Sequence, residues 1–83
     1  MTIQVHNLSR NTIDSDLRKL FSPFGVVNSA EVNRDKNNGR SKGNGVIIMP
    51  VDHEARQAIA SLDQTMMDGK KISVSELHVP PQW

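Results

Sequence analysis

The sequence predicts an α+β domain with a ferredoxin-like βαββαβ sandwich, a four-stranded antiparallel sheet with two helices on one face. Two observations support this prediction. The hydrophobic patterns run in the order strand, helix, strand, and this order occurs twice. The two helical stripes begin at Leu17 and at Ala55, 38 positions later. Two such units with right-handed crossovers form this sandwich and leave one sheet face open. A chain of 83 residues has room for one such core.

The first half of the chain supplies a strand, a helix and a weaker strand. Residues 3–7 alternate between apolar and polar side chains, as a half-buried strand does. The helix carries an apolar stripe with i, i+3, i+4, i+7 spacing: Leu17, Leu20, Phe21 and Phe24. Gly25 is expected to end it, and its N-cap stays open between Thr12 and Asp14. Residues 27–33 alternate again, more weakly.

The second half repeats this order. Residues 43–49 are rich in β-branched side chains and stop at Pro50, so they predict a strand. Asp52 is expected to cap the second helix. The apolar stripe of that helix repeats the first spacing: Ala55, Ala58, Ile59 and Leu62. Asp68-Gly69 predicts a turn, and residues 71–75 alternate as the last strand.

The remaining segments predict turns and a tail. Residues 35–41, between the second and third strands, have the composition of a solvated loop. Met66 and Met67 are expected to fill the gap beneath the last turn. Pro80-Pro81 cannot continue a strand ladder. We therefore predict one domain over residues 1–77 and a C-terminal tail over residues 78–83.

Alternation along the strands assigns each side chain to the core or to the open face. The predicted inward set is Ile3, Val5, Ala30, Val32, Ile47, Met49, Ile72 and Val74. The predicted open face is Gln4, His6, Glu31, Asn33, Lys42, Asn44, Val46, Ile48, Lys71, Ser73 and Ser75. This face is mostly polar. Val46 and Ile48 are expected to be exposed in its middle, unless a ligand, a partner or the tail covers them.

Composition excludes several classes of function. The chain has no Cys, which excludes a disulfide scaffold and cysteine-ligated zinc and fits a reducing compartment, so we expect a cytoplasmic protein. Its longest apolar run, residues 45–49, is too short to span a bilayer, and no membrane partner is expected. His6, His53 and His78 lack metal-ligand spacing. No nucleophile and base pair can be argued, so we expect no enzyme, no metal and no cofactor.

Two segments carry a resemblance to a known family. Residues 3–8 read IQVHNL and residues 42–49 read KGNGVIIM. They resemble the hexamer and octamer motifs of the RNA recognition motif family, and the resemblance extends over residues 2–76. In its single-domain size the chain is similar to the short bacterial members. The resemblance implies single-stranded RNA as the partner, bound on the open sheet face.

The chain departs from that family at its base-stacking positions. The resemblance implies base-stacking aromatic residues at the second hexamer and fifth octamer positions, where this chain has Gln4 and Val46. It also implies an aromatic residue between sugars at the third octamer position, where this chain has Asn44. Each lost stack costs about 1–3 kcal/mol, so two lost stacks weaken binding by about 2–6 kcal/mol. We therefore expect weak or atypical binding of single-stranded RNA, with non-aromatic motifs.

The contacts that remain are electrostatic and polar. Residues 34–42 carry four basic side chains against Asp35, a local charge of +3 within a chain whose net charge is +1. Such a cluster suits phosphate contacts. The candidate phosphate ligands are Arg34, Arg40, Lys42 and Lys71. The candidate floor under the bases is Gln4, His6, Asn33, Asn44 and Val46. Single-stranded DNA offers the same phosphate charges and stays open as a partner.

Two other functions stay open. The same sheet face could bind a second copy of the chain or another protein, with Val46, Ile48 and Trp83 as interface residues. Trp83 could instead fold over the apolar side chains of the face or stack on a base. A small phosphate-handling enzyme of this topology would use Arg10 as an anion ligand.

Overall fold

The computed structural model describes residues 1–77. Its elements, in chain order, are β1 (Thr2–His6), α1 (Asp14–Phe21), β2 (Ser29–Arg34), β3 (Ser41–Ile48), α2 (Asp52–Leu62), β4 (Met66–Met67), β5 (Lys70–Lys71) and β6 (Ser73–Glu76). Four of the strands form one antiparallel sheet in the order β2-β3-β1-β6. Both helices pack on one face of it, so the predicted α+β sandwich is confirmed. The predicted role of Trp83 and the predicted tail lie outside the described residues.

The hydrophobic core fills the space between the sheet and the two helices. Every side chain of the predicted inward set is buried, with at most 8% of its surface exposed. The helices contribute Leu17, Phe21, Ala55, Ala58 and Leu62. The inward residues of the strands, predicted from period-two alternation, and the apolar stripes of the helices therefore form the two sides of one core.

The start of α1 differs from the prediction. Ile13 is the N-cap, and its backbone N–H donates to Asp16 Oδ2 at 3.1 Å. Thr12 is fully buried, and its hydroxyl donates to Asp68 Oδ2 at 3.3 Å. Thr12, one of the two alternatives for the cap, is not the N-cap, because its side chain bonds to a distant turn instead.

Neither Asp14, the alternative cap of α1, nor Asp52, the predicted cap of α2, is the N-cap of its helix, so both predictions are wrong. Asp14 is the first residue of α1, and its Oδ1 accepts the backbone N–H of Val32 at 2.7 Å, which ties the helix to β2. Asp52 is the first residue of α2, where Val51 is the N-cap. Both carboxylates still lie at a helix N-terminus, where negative charge is favourable.

The predicted stripe of α1 continues past the end of the α-helix. The α-helix ends at Phe21, and residues Ser22–Phe24 form a 3-10 turn. Pro23 has no N–H to donate, so it cannot continue the α-helical ladder. Leu20 and Phe24 are nevertheless packed against the core, so the stripe buries the surface that its spacing predicts.

The last strand of the sheet begins later than predicted. Asp68-Gly69 forms the predicted turn, with both residues at positive φ (50° and 80°), and closes a hairpin of β4 and β5 outside the main sheet. The assignment of Lys71 to the open sheet face is therefore wrong, and the sheet resumes at Ser73. Met67 packs against the core, but Met66 is 66% exposed and fills no gap.

The carboxylate of Asp63 links the end of α2 to β6. It accepts the backbone N–H of Val74 at 2.9 Å and the side-chain amide of Gln64 at 3.2 Å. These hydrogen bonds, the backbone one foremost, hold the pKa of Asp63 below its usual range. A lowered folded-state pKa stabilises the fold above the unfolded-state pKa, and this stabilisation is lost as pH falls through the folded-state pKa.

We therefore expect Asp63→Ala to lower the free energy of unfolding at pH 7. As the pH falls below about 4, the free energies of unfolding of the variant and the wild type should converge. Urea unfolding at a series of pH values measures this difference. Glu76→Ala removes an exposed carboxylate from β6 and controls for the change in net charge. A difference between Asp63→Ala and the wild type that stays constant from pH 7 to pH 2 would contradict the assignment.

Candidate nucleic-acid interface

The register of the strands arranges the open face of the sheet in three rows. The first row is Ser29, Ile48 and Thr2. The middle row is Glu31, Val46, Gln4 and Ser75. The last row is Asn33, Asn44, His6 and Ser73. Since directly opposite residues of an antiparallel pair point to the same face, each row runs across the sheet, perpendicular to the strands.

The middle row contains the two positions at which the family resemblance implies stacking rings. Gln4 and Val46 are direct cross-strand partners, and both are half-buried. Gln4 Nε2 donates to Ser75 Oγ at 3.2 Å. Glu31, at the other end of the row, exposes a carboxylate. The row thus offers an amide and a branched apolar surface to a base, and its one charge repels phosphate.

The last row is polar throughout. Asn33 Nδ2 donates to Asn44 Oδ1 at 3.0 Å, which uses the carbonyl oxygen of Asn44 and leaves its amide N–H groups for another acceptor. His6 lies between Asn44 and Ser73 and is exposed. These side chains can donate to and accept from the edges of a splayed base.

Basic side chains border the last row. The loop between β2 and β3 is an ordered turn, in which the N–H of Asp35 donates to the carbonyl of Arg40 at 2.8 Å. Arg34, Arg40 and Lys42 are exposed. Within residues 1–77, the ion pair of the Met1 ammonium with an aspartate is the only one. Arg34, Arg40 and Lys42 therefore form no ion pair with a carboxylate in that part of the chain.

Two neighbouring depressions at this end add Arg10 and Lys70 to the cations predicted to bind RNA. The larger, about 450 Å³, is lined by His6, Asn44, Arg10, Lys42 and Lys70, among others. The smaller, about 260 Å³, shares Arg10 and Lys42 with it and adds Arg40. The antiparallel pairing of β1 and β3 is the signal that could have found Arg10, because residues that follow β1 must meet residues that precede or begin β3.

Two candidate residues lie elsewhere than expected. Ile48, 40% exposed, is in the first row at the end of the face, not in its middle. Lys71 is exposed in the β4–β5 hairpin, where its carbonyl accepts Asn7 Nδ2 at 2.8 Å. The apolar surface of the face is therefore split between a half-buried Val46 and a peripheral isoleucine.

Over residues 1–77, no helix is long and apolar enough to cross a membrane. In the same range, no three His, Asp or Glu side chains come together as a metal site would require.

A match to a known family model shows the family of this domain. The sequence model described as "RNA recognition motif" matches residues 3–73. The chain belongs to the RNA recognition motif family. The family prediction from the hexamer and octamer is confirmed, and the chain is an RNA-binding domain by that membership.

Similar proteins agree with the family. "RNA-binding protein CP29B, chloroplastic" of Arabidopsis thaliana is 42% identical over 95% of this chain, and "Glycine-rich RNA-binding protein 1" of Mycosarcoma maydis is 37% identical over 95%. The matched regions span 27% and 45% of those two proteins, respectively. The crystal structure of "RNA Binding Protein PG1" is 36% identical, with a TM-score of 0.93 and 99% of each chain covered.

Proposed function

We propose that this domain binds single-stranded RNA weakly through its open sheet face, with phosphate neutralisation in place of base stacking. The observation that carries the proposal is the arrangement of the face in an RNA recognition motif: a middle row without rings lies next to a last row bordered by cations that form no ion pair within residues 1–77. The similar proteins, which are named as RNA-binding, support the same class of ligand.

Phosphate contacts supply most of the affinity in this proposal. Arg34 at the end of β2, Arg40 in the β2–β3 loop and Lys42 at the start of β3 bind the phosphate backbone. Lys71 adds a charge from the hairpin beside β6. Because these contacts release counterions from the RNA, the affinity depends steeply on salt.

Base contacts are hydrogen bonds and apolar contact. Asn33, Asn44 and His6 bond to base edges along the last row, where their exposed polar groups lie side by side. Gln4 and Val46 form the floor beneath the next base. Because phosphates and base edges are common to both nucleic acids, we expect single-stranded DNA to bind as well, and RNA to be preferred only where a 2′-hydroxyl is contacted.

The salt dependence of RNA binding tests this mechanism. Titration of a labelled random single-stranded RNA at several salt concentrations should show binding at low salt. Lys42→Ala should reduce the slope of log affinity against log salt by about 0.7, the value expected for one lost phosphate contact on a single strand. Arg56→Ala removes an exposed cation from α2 and should leave the slope unchanged. No binding at low salt, or equal slopes for Lys42→Ala and the wild type, would overturn the proposal.

The proposed function involves no catalysis. The hydroxyls of Thr12, Ser22 and Thr65 donate to a carboxylate or to backbone carbonyls, as structural hydroxyls do. We extend the proposal to a non-enzymatic, cytoplasmic RNA-binding domain.

A second candidate function is a protein interface on the same face. The exposed side chain of Ile48 in the first row favours it, next to the half-buried Val46 of the middle row. Sedimentation over a range of protein concentrations tests this candidate. A dimer that Ile48→Glu abolishes would support it, whereas a monomer at all concentrations excludes a homodimer.

A further inference from the structure

The electrostatic character of the open face changes along the strands. The middle row holds the exposed carboxylate of Glu31, and the first row has no charged side chain. The larger depression, beyond the last row, is lined by Arg10, Lys42 and Lys70 and by no carboxylate. A polyanion on this face is therefore attracted toward the depression and repelled from the Glu31 end of the middle row.

The depression is continuous with the sheet face. His6 and Asn44 belong both to the last row and to its lining. A strand whose bases contact these two side chains therefore already borders the depression. The smaller depression shares Arg10 and Lys42 with the larger one, so the path continues toward Arg40. The two together are lined by four cations and one carboxylate, Asp35, a net charge of +3.

Arg10 is the cation between β1 and α1, and an ordered turn presents it. The backbone N–H of Thr12 donates to the carbonyl of Ser9 at 3.1 Å, and the N–H of Asn11 donates to Ser9 Oγ at 3.2 Å. Thr12 is fully buried, which anchors the turn to the core. Because the backbone beside Arg10 is already ordered, little backbone entropy is lost when the guanidinium binds a phosphate.

We infer that bound RNA continues off the sheet past the last row and that Arg10, with Lys42 and Lys70, binds backbone phosphates of nucleotides beyond those on the sheet. This inference rests on the proposed function and extends its site to Arg10 and Lys70. The ligand is the phosphodiester backbone, so the contacts carry no base preference. The guanidinium of Arg10 provides planar, paired donors for phosphate oxygens.

A length series of single-stranded RNA tests the inference. Oligonucleotides of about three to ten nucleotides are titrated against the wild type, Arg10→Ala and Arg10→Lys. The wild-type affinity should rise with length until the RNA fills the depressions. Arg10→Ala should reduce affinity for the longer RNA on the order of threefold to tenfold and its salt slope by about 0.7, and should bind the shortest RNA as the wild type does. Arg10→Lys should restore the slope, because it restores the charge.

Control variants keep the test specific. Arg56→Ala removes a cation on α2 and should bind RNA of every length as the wild type does. Thermal unfolding of Arg10→Ala should match the wild type, since this exposed side chain forms no ion pair within residues 1–77. If Arg10→Ala binds the longer RNA with unchanged affinity and slope, the inference is wrong and the proposed function stands. If the wild type binds no RNA of any length, the proposed function fails as well.

Discussion

Replacing Gln4 with Tyr and Val46 with Phe should raise the affinity for single-stranded RNA by one to four decades. Each ring added under a base contributes about 1–3 kcal/mol, and the two contributions add to about 2–6 kcal/mol. The two positions are direct cross-strand partners in the middle row, so both rings would face the same stretch of RNA. Fluorescence anisotropy with one labelled RNA measures the change for each single variant and for the double variant.

The matched control places a ring on the same strand and face but outside these two positions. Ile48→Phe does this in the first row, and its effect on affinity should be small. The double variant must also retain the thermal stability of the wild type, as its new side chains point away from the core. An RNA affinity unchanged from that of the wild type would show that the bases do not lie over the middle row.

Gly45→Ala should destabilise the domain by about 1–3 kcal/mol, the usual range for overpacking a core. An added Cβ would lie 2.6 Å from Leu17 Cδ1 and 2.9 Å from the carbonyl oxygen of Glu31. The leucine side chain can move, but the carbonyl belongs to β2, the sheet neighbour of β3. For a domain of this size each kcal/mol lowers Tm by about 4–8 °C, which differential scanning calorimetry resolves.

Two further variants separate the causes of that destabilisation. Val46→Ala alters the next residue of the same strand, whose side chain points outward, and should cost less. In a Leu17→Ala background, Gly45→Ala should still be unfavourable, because the contact with the β2 carbonyl remains. A Tm for Gly45→Ala equal to that of the wild type would contradict the close packing of α1 against β3.

The fold was predictable because its signals are local and repeated. Alternation identified both faces of β1 and β3, and the two helical stripes identified the residues that cover the inner face. The family motifs coincide with β1 and β3, the central strands of the sheet. Together these signals predict that most of the candidate RNA contacts lie on one surface.

The errors arose where partners are far apart in sequence. Thr12 is an acceptable cap by composition, yet its hydroxyl binds Asp68, 56 residues later. The sequence alternates without interruption over residues 71–75, but the sheet does not. Lys71 belongs to the β4–β5 hairpin, and the turn at residues 68–69 sets the register of that hairpin. Arg10 and Lys70 were not assigned to the site because tertiary structure alone brings them beside Lys42.

The central claim is that RNA lies on the open sheet face and is held mainly by phosphate contacts. A titration of the nitrogen-15 labelled protein with pools of short single-stranded RNA, followed by NMR at low salt, tests it most directly. We predict that amide shifts concentrate in the middle and last rows, around Gln4, His6 and Asn44, and weaken as salt is added. No shifts at low salt, or shifts confined to α1 and α2, would contradict the account.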